Sequence, residues 1–145
     1  MKLAVKYGIA VALTIAAWVA LKHFVLHFEG PRAQIADVAV FNLSAIVGLS
    51  LGIGARRTAN GGWLTFVQGW KTGISIAVTY SILTSLYFLF LLALVGPKLM
   101  QQEGETSYVK AFLGASVGFA LFGTVLSAAI ALFMKRKPGM SINEC

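Results

Sequence analysis

Two histidines, His23 and His27, stand four residues apart near the end of the first apolar run, with Glu29 and Asp37 following closely. On a helix this spacing puts both imidazoles on one face, an arrangement that suits a metal once further ligands are supplied. No third ligand is defined by spacing. The chemistry open to the pair is metal, haem or pigment ligation, a pH-sensing role, or simply two polar side chains at a membrane interface, the reading favoured by Lys22 next door, expected to snorkel outward. A second polar set, Asn42, Ser44, Thr79, Ser81, Thr84 and Ser85, falls inside apolar stretches. These side chains could line a path, but none is ionisable, and hydrogen bonding between helices is the simpler use. Nothing in the chain resembles a phosphate-binding glycine loop, a nucleophile–base pair or a carboxylate dyad. The sequence therefore predicts no enzyme and calls for no cofactor.

The elements that must position these residues follow from composition. Of the 145 residues, 58% are hydrophobic and 12% charged, against about 25% charged in soluble domains. A chain this short could not hide so much apolar surface in water. The fold class expected is an all-α integral membrane protein, residues 1–145 forming a single four-helix membrane domain. Spans of about 20 apolar residues are required, and four qualify, roughly 4–26, 36–55, 73–95 and 110–134. Lys2 and Lys6 precede the first run as in a secretory signal, but "AAWVALKH" offers no small-x-small cleavage site, so that helix is expected to be permanent. The one cysteine, Cys145, has no internal partner, and "INEC" is not a prenylation box.

Cations fix the expected orientation. Lys2, Lys6, Arg56, Arg57, Lys71, Lys135, Arg136 and Lys137 fall on one side; Lys22, Arg32, Lys98 and Lys110 on the other share their side with Glu29, Asp37, Glu103 and Glu105. The positive-inside rule then puts both termini and the central joint in the cytoplasm. The net charge of +7 becomes a topology signal, with no nucleic-acid partner implied. In the central joint, Asn60-Gly61-Gly62 supplies a turn. Trp63, Phe66 and Trp70 recur at helical spacing, so together with Arg56, Arg57 and Lys71 they form an expected membrane-interface belt or partner-docking surface on a short helix.

"KYGIAVALT" (6–14) and "KTGISIAVT" (71–79) agree at five of nine positions, which suggests two tandem helical hairpins of the same orientation. Small residues recur every fourth position: Gly8, Ala12, Ala16 and Ala20; Ser44, Gly48 and Gly52; Gly69, Gly73, Ala77, Ser81 and Ser85; Gly114 and Gly118. Such stripes let helix backbones approach closely in lipid, either within the bundle or against another subunit.

At "GGWLTFVQGWKTGI" the chain resembles the bacterial four-helix inner-membrane proteins grouped under domain of unknown function 4199. The resemblance rests on Gly61-Gly62, Thr65-Phe66 and Lys71-x-Gly73, then a helix bearing "SLY", with the "KYG" opening and the ending "ALFMKRKPG" also similar. It extends over nearly the whole chain and implies a four-helix fold in a bacterial inner membrane. It carries no catalytic or binding residues with it. The connection between the third and fourth spans is short here, about fifteen residues by the span limits above, against a longer one common in that family. Function is expected to be non-catalytic: an accessory subunit of a membrane complex, or a small homo-oligomer, meeting the lipid bilayer and a membrane-protein partner or itself. The alternative is a small transporter or channel built from two repeated hairpins.

Overall fold

The computed structural model describes residues 2–27, 30–95 and 107–136. Among these, the regular structure is helical, with one isolated antiparallel bridge. Helix α1 (Lys2–Ala20) runs on as a π-helical turn, Leu21–Leu26; α2 is Pro31–Ala59, α3 Phe66–Val95 and α4 Tyr108–Met134. All four are long and apolar enough to cross a membrane.

Local chemistry sets the ends. Gly30 (φ +99°) precedes Pro31, whose missing N–H and fixed φ suit the first helical position; Ala33 N–H donates to Gly30 O at 3.0 Å. Helix α2 runs past Arg56 and Arg57, which occupy its last turn and complement its negative dipole end. It closes when Gly61 takes φ +74°. Gly62 N–H then donates to Arg57 O at 3.0 Å and Gly61 N–H to Thr58 O at 3.1 Å. This is the Schellman pattern, for which glycine is the residue without a steric penalty.

Helix α3 begins seven residues earlier than the hydropathy reading places it, because Thr65 and Gln68 form a capping box. Gln68 N–H donates to Thr65 Oγ1 at 3.2 Å and Thr65 N–H to Gln68 Oε1 at 3.3 Å, satisfying two donors that a bare helix start leaves orphaned. Leu64 and Arg136 then exchange both backbone hydrogen bonds (2.9 and 2.8 Å), fastening the central connection to the chain beyond α4.

Helix α3 touches the other three helices, as does α2, whereas α1 and α4 do not meet among the described residues. The ring order is therefore α1, α2, α4, α3, with α2 and α3 across the short diagonal. The α3–α4 seam is the most extensive. A Cβ added at Gly73 would fall 2.2 Å from Ser127 Cβ, one at Gly69 3.0 Å from Ala131 Cβ, and one at Gly123 2.6 Å from Ala77 Cβ. Four steps along α3 match four steps back along α4. On the other side, Gly48 receives Val11, Gly52 receives Ile76 and Tyr7, and Gly8 abuts Thr79.

Gly48, Gly52, Gly73 and Ala77 therefore lie at helix contacts, as their spacing suggests, and Ser81 is buried. Gly114 and Gly118 do not: nothing described lies within 4 Å of a Cβ built on either. The stripe by which α4 packs is Gly123, Ser127 and Ala131. Spacing puts small residues on one face without saying which face meets a neighbour. Gly8 and Gly73, equivalent in the sequence repeat, also meet different partners, α3 and α4 respectively. The packing there does not follow the repeat.

Candidate functional site

The close contacts all lie toward the end that carries the N-terminus of α1, the start of α3 and the cations Arg56, Arg57 and Lys71. At the opposite end the helices part around a partly open cavity of about 940 Å³, lined by residues of all four helices. Its innermost wall is Ile15, Ala45 and Tyr80; its rim carries Lys22, His23, Gln34, Asp37 and Lys110.

The apolar walls are held by an aromatic cluster. Phe41 of α2 meets Phe88 of α3 and Phe119 of α4 edge-on, at centroid distances of 6.3 and 6.0 Å, the arrangement ring quadrupoles favour. Two tyrosines tie α3 to its neighbours, one to α4 and one to α1. Tyr80 Oη donates to Phe119 O at 3.2 Å, and Tyr87 Oη to Ala16 O at 3.1 Å. Gly114 and Gly118 belong to the cavity wall, which is why they have no packing partner.

The rim is built around Asp37. Lys22 Nζ donates to its Oδ2, and Trp18 Nε1–H donates to Oδ1 at 2.8 Å. Both charged side chains are about four-fifths buried, so each charge is matched by the other and by hydrogen bonds, the condition for tolerating an ion pair away from water. Lys22 thus turns inward to α2 instead of snorkelling. It lies in the π-helical turn, a feature often found at functional positions. No spacing rule could have connected Trp18 and Lys22 to Asp37, nineteen and fifteen residues away.

The two histidines separate. His23 is half-buried in the cavity rim and packs edge-on against Phe24 (5.8 Å), whereas His27 ends the π turn with φ +46° and is exposed. No group of three or more His, Cys, Asp or Glu able to hold a metal occurs among the described residues.

The aromatic segment is not a separate helix. Trp63 sits in the connection, half-buried; Phe66 and Trp70 lie in the first turns of α3, stacked at 5.8 Å. Trp70 Nε1–H donates to Thr124 O at 3.4 Å, so Trp70 serves the α3–α4 seam. Arg56 and Lys71 are exposed.

Hydroxyls divide by depth. Thr72, Ser75, Thr79, Ser81, Thr124 and Ser127 each donate to a carbonyl three or four residues back. Thr84, Ser85 and Ser116 have no partner among the described residues although their oxygens are buried. Continuing the seam two turns from Ala77–Gly123 brings Thr84 level with Ser116, and Ser85 stands in the cavity wall.

Four long apolar helices around a half-open cavity define the class: an all-helical protein of the kind that spans membranes. The chain belongs to the family described as "Protein of unknown function (DUF4199)", whose model matches residues 6–107. The match takes in α1 to α3 and leaves α4, with the ending "ALFMKRKPG", outside it. No curated protein and no solved structure matches the chain.

Proposed function

We propose that this is a non-enzymatic, multipass protein of a bacterial inner membrane, with both termini cytoplasmic, and that it moves a small amphiphilic solute. The observation that carries the reading is the asymmetry of the bundle. It is sealed by glycine contacts and the Leu64–Arg136 bridge at its cation-rich end and open at the other. With the cations inside, the cavity faces the outer leaflet and corresponds to the outward-open half of a transport path. Its aromatic walls and charged rim suit a molecule with an apolar body and a polar end. Purified protein in liposomes should then give saturable uptake of amphiphilic solutes, and Gly118→Phe, which fills the cavity without touching the seal, should abolish it. Uptake that stays at the level of empty liposomes across a broad panel defeats the proposal. Orientation is checked separately with the native thiol: a membrane-impermeant maleimide should reach Cys145 only after permeabilisation.

A second reading, an accessory subunit or homo-oligomer, is supported by Gly114 and Gly118, which are exposed on the open side of the cavity without a packing partner among the described residues. Native mass spectrometry after gentle extraction separates the two, since the first needs no second chain and the second predicts a stoichiometric one.

A further inference from the structure

Resting on the reading that the cavity admits a solute, we propose that it selects an uncharged ring compound carrying a carbonyl oxygen, of the quinone type, with Ser85 as its hydrogen-bond donor.

The unpartnered hydroxyls start the argument. A serine or threonine within a helix readily donates to a carbonyl one turn back, as its neighbours on α3 do. Thr84 and Ser85 are each 1% exposed and make no such bond. Leaving a hydroxyl unbonded in apolar surroundings is unfavourable, and these oxygens are covered from solvent. Ser85 lies in the wall of the cavity with its hydroxyl covered, so it has to turn into the cavity to meet an entering oxygen, and it has no hydrogen bond to break in doing so. Thr84 and Ser116 stand level with each other on the adjoining seam and add two further hydroxyls to the same stratum.

Charge decides what kind of oxygen it is. The Lys, His and Asp side chains lining the cavity, Lys22, His23, Asp37 and Lys110, come from the π-helical turn after α1 and the first turns of α2 and α4, at the rim. Carried on at the same register, the α3–α4 seam puts Lys110 level with Phe90, five residues beyond Ser85 along α3, about 8 Å at 1.5 Å per residue. An anionic or cationic group at Ser85 would find no counter-charge at its own level, an expensive position in a membrane. Tyr80, the remaining ionisable group lining the floor, already donates its proton to Phe119 O. The group is therefore neutral. The walls decide the body: Phe41, Phe88 and Phe119 are fixed edge-to-face, offering ring surfaces on which another flat ring packs well.

The test uses the full chain in lipid nanodiscs, titrated calorimetrically with 2-methyl-1,4-naphthoquinone and with 2-methylnaphthalene, which has the same ring system without the oxygens. The quinone should bind about five- to tenfold more tightly, the value of one net hydrogen bond. Ser85→Ala should remove most of that preference while leaving the hydrocarbon unchanged, and Ser85→Thr, which keeps the hydroxyl, should retain it. Equal binding of the two probes to the wild type, or a preference indifferent to Ser85→Ala, overturns the assignment of Ser85 and leaves the cavity reading standing. If neither probe binds saturably, or Gly118→Phe does not prevent binding, occupancy of the cavity fails as well.

Discussion

Gly73 is the position where the α3–α4 seam can be tested most directly. A methyl group placed there would lie 2.2 Å from Ser127 Cβ, 3.0 Å from its Oγ and 3.3 Å from its Cα. The obstacle is the root of a side chain and the backbone behind it, which no rotamer change removes. Relief requires the helices to part by more than an ångström, and overpacking of that kind costs about 1–3 kcal/mol. Set against it is the helix propensity gained on replacing glycine by alanine, about 1 kcal/mol. An approach as close as 2.2 Å belongs to the upper part of that range, so Gly73→Ala should be destabilising by about 1–2 kcal/mol net of that gain. Gly118→Ala, with no described atom within 4 Å of the new Cβ, keeps the propensity term alone and should be neutral or stabilising by up to about 1 kcal/mol. Ser127→Gly in the Gly73→Ala background removes the obstructing Cβ and should recover most of the loss. Unfolding in mixed micelles, followed by tryptophan fluorescence because Trp70 bonds across this seam, measures all four proteins. If Gly73→Ala matches the wild type, or Gly118→Ala is as harmful as Gly73→Ala, the seam is not packed as described.

The rim and the α3 cap give two further tests by the same assay. Asp37→Ala leaves the Lys22 ammonium and the Trp18 indole without their acceptor and should destabilise by about 2–4 kcal/mol, near the range for breaking a buried pair; the Lys22→Met/Asp37→Leu double variant should regain most of it, and a double variant as damaged as the single refutes the pairing. Thr65→Ala removes one half of the capping box and should cost about 1 kcal/mol, whereas Thr65→Ser should be silent; equal effects would mean the hydroxyl does not cap α3.

Some of this was readable from the sequence and some was not, for physical reasons that differ by residue. The four helices are legible because length and apolarity are properties of each segment alone. Gly48, Gly52 and Gly73 were legible as contacts because lipid-facing helices have little else to drive close approach. Gly114 and Gly118 have the same spacing and a different fate, since a stripe identifies a face but not its neighbour; the packed stripe of α4 starts at Gly123, five residues on. The start of α3 was written in Thr65-x-x-Gln68, yet the helical spacing of Trp63, Phe66 and Trp70 read more naturally as a helix of its own. Asp37 looked like one outward acid among four. Its role emerges only when α1 and α2 lie side by side and bring Trp18 and Lys22 to it.

The distribution of residue size along the four helices accounts for the cavity. Toward the cation-rich end the facing positions are Gly8, Gly48, Gly52, Gly69 and Gly73, and backbones close until side chains of the neighbour fill the missing Cβ volumes. Beyond Gly48 on α2, Gly73 on α3 and Gly123 on α4 the facing positions become Phe41, Phe88 and Phe119, whose rings hold the backbones apart. Straight helices pinned together at one end and propped by rings at the other must diverge. The gap falls where α2 and α4 carry the props and where Gly114 and Gly118 on α4 supply no side chain to fill it. A bundle meant only to be compact would carry larger residues at these two glycines, and both sites have room for them. Keeping the wall bare while Lys22 and Asp37 are held at the rim is the arrangement expected if the space itself is what the protein uses.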